Sequence, residues 1–98
     1  MKLLTKKLRR QFPPLYATEA VSDPQVICKF FTPDSSWTWY AIEFDGQDTF
    51  FGYVVGIESE FGYFSLTELQ SVRGPFSLRV ERDLYFRAQP ISQVKGRP

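Results

Sequence analysis

The chain has 98 residues, 17% aromatic and 23% charged, with one cysteine and no histidine. One domain of ordinary globular make-up follows, and without histidine neither a Ser-His-Asp nor a Cys-His nucleophile can be assembled, nor an ordinary zinc site. The net charge of +1 conceals a division, because residues 1–10 carry +5, residues 11–72 carry −8 and residues 73–98 carry +4.

Thr5 to Gln11 predicts a short helix, with Thr5 as N-cap and Pro13-Pro14 barring continuation. Leu4, Leu8 and Phe12 form its apolar stripe, so Lys6, Lys7, Arg9 and Arg10 lie largely on the other side. Leu15 to Ser22 reads as irregular or as a weak edge strand, and Asp23-Pro24 as a turn. Gln25 to Phe31 is continuously apolar enough for a strand. Within it Cys28 is expected to be a buried, inert thiol, and a lone cysteine suits a reducing cytoplasmic compartment. Thr32-Pro33-Asp34-Ser35 is a tight turn with proline at its second position.

Trp37 to Phe44 and Thr49 to Ile57 are rich in aromatic and β-branched residues and flank Asp45-Gly46-Gln47-Asp48, the pattern of a hairpin. Glu60 to Phe64 is a further strand. Ser65-Leu66-Thr67-Glu68 matches a capping box opening a helix that Gly74-Pro75 ends, with Leu66, Leu69 and Val72 as its stripe. Leu78 to Val80 and Leu84 to Phe86 read as short strands, and residues 89–98 as a frayed tail. The expected fold is therefore a single small α+β domain: an antiparallel β-meander of about four to five strands with two short helices packed on it.

Side chains alternate across a strand, so hairpin parity sorts them onto two faces. Thr38, Tyr40, Ile42 and Phe44 with Thr49, Phe51, Tyr53, Val55 and Ile57 form a nearly unbroken apolar face, the expected main core. Trp37, Trp39, Ala41, Glu43 and Asp45 with Phe50, Gly52, Val54 and Gly56 form the other. On that second face the indoles either cover bare glycine backbone beneath a helix or stand exposed as a platform. The platform reading makes Trp37, Trp39, Glu43, Asp45 and Phe50 candidate partner-binding residues.

The basic ends offer a second set. Lys6, Arg9 and Arg10 on the first helix, with Arg79, Arg82 and Arg87 near Tyr85, are candidate nucleic-acid contacts. Arg82 between Glu81 and Asp83 also suits a local ion pair. A third class is carboxylate chemistry, from Glu43 and Asp45 with Asp48 across the turn and Asp34 at the far end of the strand. Acidic hairpin tips are common in inert proteins, so no catalytic, metal or cofactor site is assigned. No glycine-rich phosphate loop occurs, no apolar run approaches the roughly 20 residues that cross a bilayer, and the basic N-terminus lacks the apolar segment of a secretory signal.

One combination of motifs goes further. Phe30-Phe31-Thr32-Pro33-Asp34 with Trp37-Thr38-Trp39-Tyr40, Phe44-Asp45-Gly46 with Asp48-Thr49-Phe50-Phe51-Gly52, Gly62-Tyr63-Phe64-Ser65-Leu66, Arg73-Gly74-Pro75 and Glu81-Arg82-Asp83-Leu84-Tyr85-Phe86 occur in order. From Lys2 to about Phe86 the chain resembles a bacterial family catalogued as a domain of unknown function. Its members are small proteins often encoded on plasmids, phages and integrated elements. The resemblance implies a genomic setting and no particular chemistry. The expected function is thus a non-enzymatic accessory protein of a mobile element that binds another protein, for instance to modulate host defence or replication. The alternative is a nucleic-acid-binding accessory protein, and a carboxylate-dependent enzyme comes third.

Overall fold

The structure, a computed structural model, describes residues 2–95. In chain order the elements are α1 (Lys6–Gln11), β1 (Gln25–Val26), β2 (Cys28–Phe31), β3 (Thr38–Phe44), β4 (Thr49–Val55), β5 (Ser59–Ser65), α2 (Leu66–Ser71), β6 (Glu81–Arg82), β7 (Gln89–Pro90) and α3 (Ile91–Lys95). Five strands form one antiparallel sheet in the order β5-β4-β3-β2-β6, and β1 pairs with β7 in a small separate ribbon. An α+β meander is what the strand and turn signals anticipated.

Local chemistry explains the meander's corners. The Thr32 N–H donates to the Trp37 carbonyl at 3.0 Å, closing the turn between β2 and β3. At the next corner Asp45 Oδ1 accepts from the N–H groups of Gln47, Asp48 and Thr49 at 2.8, 2.8 and 3.0 Å. Gly46 supplies the positive φ of 87° that the corner requires. These bonds hold the Asp45 carboxyl below its ordinary range, with the Gln47 amide contributing most.

Between β3 and β4 the ladder changes step. Tyr40 faces Tyr53 and Ala41 faces Gly52, but Glu43 then faces Phe51 and Phe44 faces Phe50, leaving Ile42 as an extra residue. Such a bulge sets two residues against one and re-aims the side chains beyond it. Hairpin parity holds from Thr38 to Ile42 and is reversed for Glu43 and Phe44. Phe44 therefore joins the Trp39–Phe50 side of the sheet, and Glu43 leaves it for the Phe51 side.

The main core is the opposite face from the one expected, because α1 and α2 pack on the Trp39–Phe50 side. Phe50, fully buried at 0% exposure, lies 4.5 Å from the Phe44 ring, 5.2 Å from Phe64, and 5.6 Å from both Phe12 and Phe30. Leu3, Leu4, Cys28, Trp39, Ala41, Leu69 and Val80 complete this layer, with Leu8, Phe12 and Val72 packed against it. The two helices cover it. A six-residue helix is too short to persist alone, so α1 depends on this burial and on Thr5, whose Oγ1 accepts from the Leu8 N–H at 3.2 Å. In α2, Ser65 Oγ accepts from the Glu68 N–H at 2.9 Å, as the capping signal required. Ile57, placed in the core by parity, is 94% exposed in the β4–β5 turn.

The other face carries a second, smaller core of Val26, Ile42, Ile91 and Val94, flanked by Tyr40, Tyr53 and Phe86. Its cover comes from the segment expected to fray. Gln89–Pro90 pairs with Gln25–Val26, and α3 brings Ile91 and Val94 down onto the sheet. Asp23 fastens α3, its Oδ1 accepting from the Ser92 N–H at 2.9 Å and its Oδ2 from the Ser92 hydroxyl at 2.7 Å. Residues 89–95 are thus a third helix and a strand; residues 96–98 lie outside the described range.

Two further expectations shift. The run Gln25–Phe31 is split at Ile27, whose N–H donates to the Ala41 carbonyl at 2.8 Å, so that its halves pair with different partners. Leu78–Val80 and Leu84–Phe86 do not form strands. The edge strand β6 lies between them, with Phe30 facing Arg82 and Phe31 facing Glu81.

Candidate functional site

Relocating Glu43 creates the most site-like feature of the molecule. Glu43 is 2% exposed, and its carboxylate holds the loop of residues 14–20. The Tyr16 N–H donates to Oε1 at 2.8 Å and the Thr18 N–H to Oε2 at 2.9 Å, and the Thr18 hydroxyl also donates to Oε2. Three donors offset the desolvation of one buried charge. The loop so held takes Tyr16 through a positive φ of 71°, where a bulky residue is strained. That strain is maintained by the carboxylate, and its result is to stand the Tyr16 ring over the sheet.

There the Tyr16 ring meets Tyr63 at 6.4 Å, Tyr63 meets Phe51 at 5.2 Å, and Phe51 stacks on Phe61 at 6.0 Å. These rings, with Glu43 at the base and Glu19, Thr18, Val21, Pro24 and Ile91 around them, line a cleft of about 310 Å³. Tyr63 is 56% exposed. Its phenol is nonetheless held above the ordinary range, first by loss of water around the oxygen, then by the Tyr16 hydroxyl, with the Glu43 and Glu19 carboxylates adding to it. The cleft combines exposed ring faces with two carboxylates.

The five residues proposed for a platform do not form one surface. Phe50 is in the centre of the main core and Trp39 is 8% exposed within it. Glu43 has moved to the opposite face and Asp45 closes the hairpin turn. Trp37 alone offers its ring, at 40% exposure, stacked 5.9 Å from Trp39 and lying on Gly56, where a Cβ would come within 2.4 Å of the indole. Trp37 therefore covers Gly56, as one part of the covered-face reading had it, while Gly52 lies against the Tyr40 carbonyl. Trp37 and Trp39 do border a shallow groove of about 460 Å³ with Val72, Gly74 and Pro75.

The candidate nucleic-acid residues separate into four places. Arg9 and Arg79 meet with Lys2 around a groove of about 540 Å³ between α1, α2 and Val80. Arg9 is partly engaged already, donating to the Gly46 carbonyl at 2.8 Å and lying 5.3 Å over the Phe44 ring. Arg82 donates to the carbonyls of Lys2 and Leu3 at 2.8 and 2.7 Å, fastening the first residues to the edge strand; its neighbour Asp83 pairs with Lys29 at 3.6 Å. Arg87 is exposed elsewhere, beside Tyr85 and Phe86, and Lys6 and Arg10 face solvent along α1.

The carboxylates singled out for chemistry have structural tasks. Asp48 Oδ1 accepts from the Thr67 N–H at 2.9 Å and its hydroxyl at 2.8 Å, steadying the start of α2. Asp34 Oδ2 accepts from the Phe76 N–H at 2.8 Å, while Oδ1 is buried against Gly74. Among the described residues no three cysteine, aspartate or glutamate side chains converge as a metal-binding group, and no helix is long and apolar enough to cross a membrane.

Sequence reasoning missed Tyr16, Glu19, Phe61 and Tyr63. The alternation Phe51, Tyr53 and Phe61, Tyr63 on neighbouring strands was a usable sign of a ring-bearing face. Nothing near Tyr16 indicates that it would be lifted onto that face.

No curated protein and no solved structure matches the chain. A family model does, over residues 3–94, which is nearly the whole described range. The chain belongs to the family described as "Protein of unknown function (DUF2958)".

Proposed function

We propose that this is a non-enzymatic interaction protein that binds a partner protein in the aromatic, acidic cleft between the 14–24 loop and strands β4 and β5. What supports the reading is the pairing of solvent-facing rings with a buried carboxylate whose hydrogen bonds go to the loop. Exposed aromatic residues grouped around a concavity mark binding surfaces, and Tyr is prominent among anchors of protein recognition. The neighbouring carboxylates are spent on turns and caps, which favours affinity over catalysis. The setting we propose is the bacterial cytoplasm, as an accessory product of a mobile element acting on a host defence or replication complex. That part rests on the family resemblance.

The test is capture from host extract by the full chain and its variants. Tyr63→Ser and Phe61→Ser alter exposed rings and should leave the circular dichroism spectrum unchanged while abolishing capture. Arg79→Gln, in the other groove, should retain it. Capture that survives both cleft substitutions would overturn the proposal.

A nucleic-acid reading is favoured by one observation, the convergence of Lys2, Arg9 and Arg79 from distant parts of the chain on one groove. Binding to duplex or single-stranded DNA that weakens steeply with salt, and less steeply in Arg79→Gln, would support it. Absence of binding at low salt would remove it.

A further inference from the structure

We infer that the group seated in the cleft is an arginine side chain carried on a basic segment of the partner, an inference that rests on the function proposed above. Two carboxylates line the cleft, Glu43 at the base and Glu19 at the rim, and no lysine or arginine does. Ring faces attract cations through their quadrupole, and carboxylates beside them add to the attraction. The molecule supplies an internal example. In the adjoining depression, which shares Phe61 with the cleft, the Lys95 ammonium stands 5.0 Å over the Phe61 ring and 5.4 Å over Tyr53.

Charge and shape narrow the occupant. A phosphate group would be set against two carboxylates. A purely apolar side chain would fill the space but leave the Glu19 carboxylate unanswered. Arginine answers both, because its planar guanidinium stacks on rings, is more weakly hydrated than an ammonium, and presents donors in a fork matched to a carboxylate. Glu19, on the exposed rim, is the carboxylate placed to receive that fork, while Glu43 keeps its loop donors and contributes charge from below. Tyr63, the more exposed ring, supplies the stacking surface, while Phe61 walls the cleft with Phe51 stacked on it and Lys95 over it.

The probe is a blocked peptide, acetyl-Gly-Gly-Arg-Gly-Gly-amide, titrated into the full chain while the ring-proton resonances of Tyr16, Phe61 and Tyr63 are followed. The counterpart peptide carries citrulline, which keeps the shape and removes the charge. A saturable shift at these rings is expected, with the citrulline peptide weaker by roughly fivefold or more. Glu19→Gln should weaken the arginine peptide by a similar factor, and Tyr63→Leu should weaken it further while the fold is kept. Equal binding of the two peptides would overturn the inference and leave the cleft as a peptide site. Absence of a saturable shift with either peptide, or a shift unchanged in Tyr63→Leu, would also overturn it. The wider reading fails separately, if extract capture ignores the cleft substitutions.

Discussion

Replacing Glu43 with glutamine keeps the size of the side chain and changes what it can accept. The carboxylate takes three donors, from the Tyr16 N–H, the Thr18 N–H and the Thr18 hydroxyl. A glutamine has one carbonyl oxygen and an amino group that only donates. If its oxygen keeps the Tyr16 N–H, the amino group faces Thr18, whose hydroxyl can turn to accept but whose N–H cannot. The loss is one charge-assisted bond, with the other weakened, against about 1.5–3 kcal/mol for a hydrogen bond to a charged group. A destabilisation of about 2–3 kcal/mol is expected, or a fall in melting temperature of roughly 10–20 °C for a domain of this size. Amide exchange should accelerate locally at Tyr16 and Thr18 while the Phe30 and Phe50 amides keep their rank order. Glu19→Gln, at an exposed site, should stay within about 0.5 kcal/mol of the parent. A melting temperature for Glu43→Gln within about 2 °C of the parent would refute the claim that this carboxylate holds the loop.

Three further outcomes are expected. Gly52 and Gly62 face each other across β4 and β5, yet a Cβ at Gly52 would lie 2.0 Å from the Tyr40 carbonyl oxygen and one at Gly62 meets nothing within 4 Å. Chemical denaturation should show Gly52→Ala losing about 3 kcal/mol or more, and Gly62→Ala unchanged or gaining up to about 1 kcal/mol. The Asp23 carboxyl is held below its ordinary range by the Ser92 hydroxyl and then the Ser92 amide, so its contribution is present above about pH 4 and fades as the pH falls further. Asp23→Ala should therefore melt lower at pH 7, with the gap closing under acid. Burial pushes the Cys28 thiol up to about 12, against a smaller opposing pull from Arg82. Only the unfolded chain ionises it above about pH 8.5, so stability should decline there more steeply than in Cys28→Ala, and alkylation by iodoacetamide should require unfolding.

What the sequence made legible was what is decided within a few residues. Thr5, Ser65 and the Asp45-Gly46 turn act on backbone groups two to four positions away, and each does so as their chemistry dictates. The Ile42 bulge was illegible for the converse reason. Ile42-Glu43-Phe44 alternates as a regular strand would, and the register is settled by donors on Tyr16 and Thr18, which lie 27 and 25 residues away from Glu43. The bulge moves only Glu43 and Phe44 between the faces; the Trp39–Phe50 side is core because the residues of α1 and α2 pack on it, and the candidate site lies on the other. The tail was misread similarly, since Ile91 and Val94 are sparse in a polar stretch and matter only because Val26 and Ile42 need a cover. Of the cleft, the strand rings could be anticipated and the Tyr16 wall could not.

Arg82 gripping the carbonyls of Lys2 and Leu3 has a bearing on how the protein is made. Ribosomes emit the meander first, and a chain halted near residue 75 would own four ring-laden strands with the Val80 part of one layer and all of α3 still to come. Both sides of that sheet would be sticky, at the stage when nascent polypeptides are most prone to clump. The layer holding Val80 is closed only when residue 82 has been made and can reach back to Lys2 and Leu3. Chaperone dependence during translation, rather than slow refolding of the finished molecule, is where that wiring should become visible.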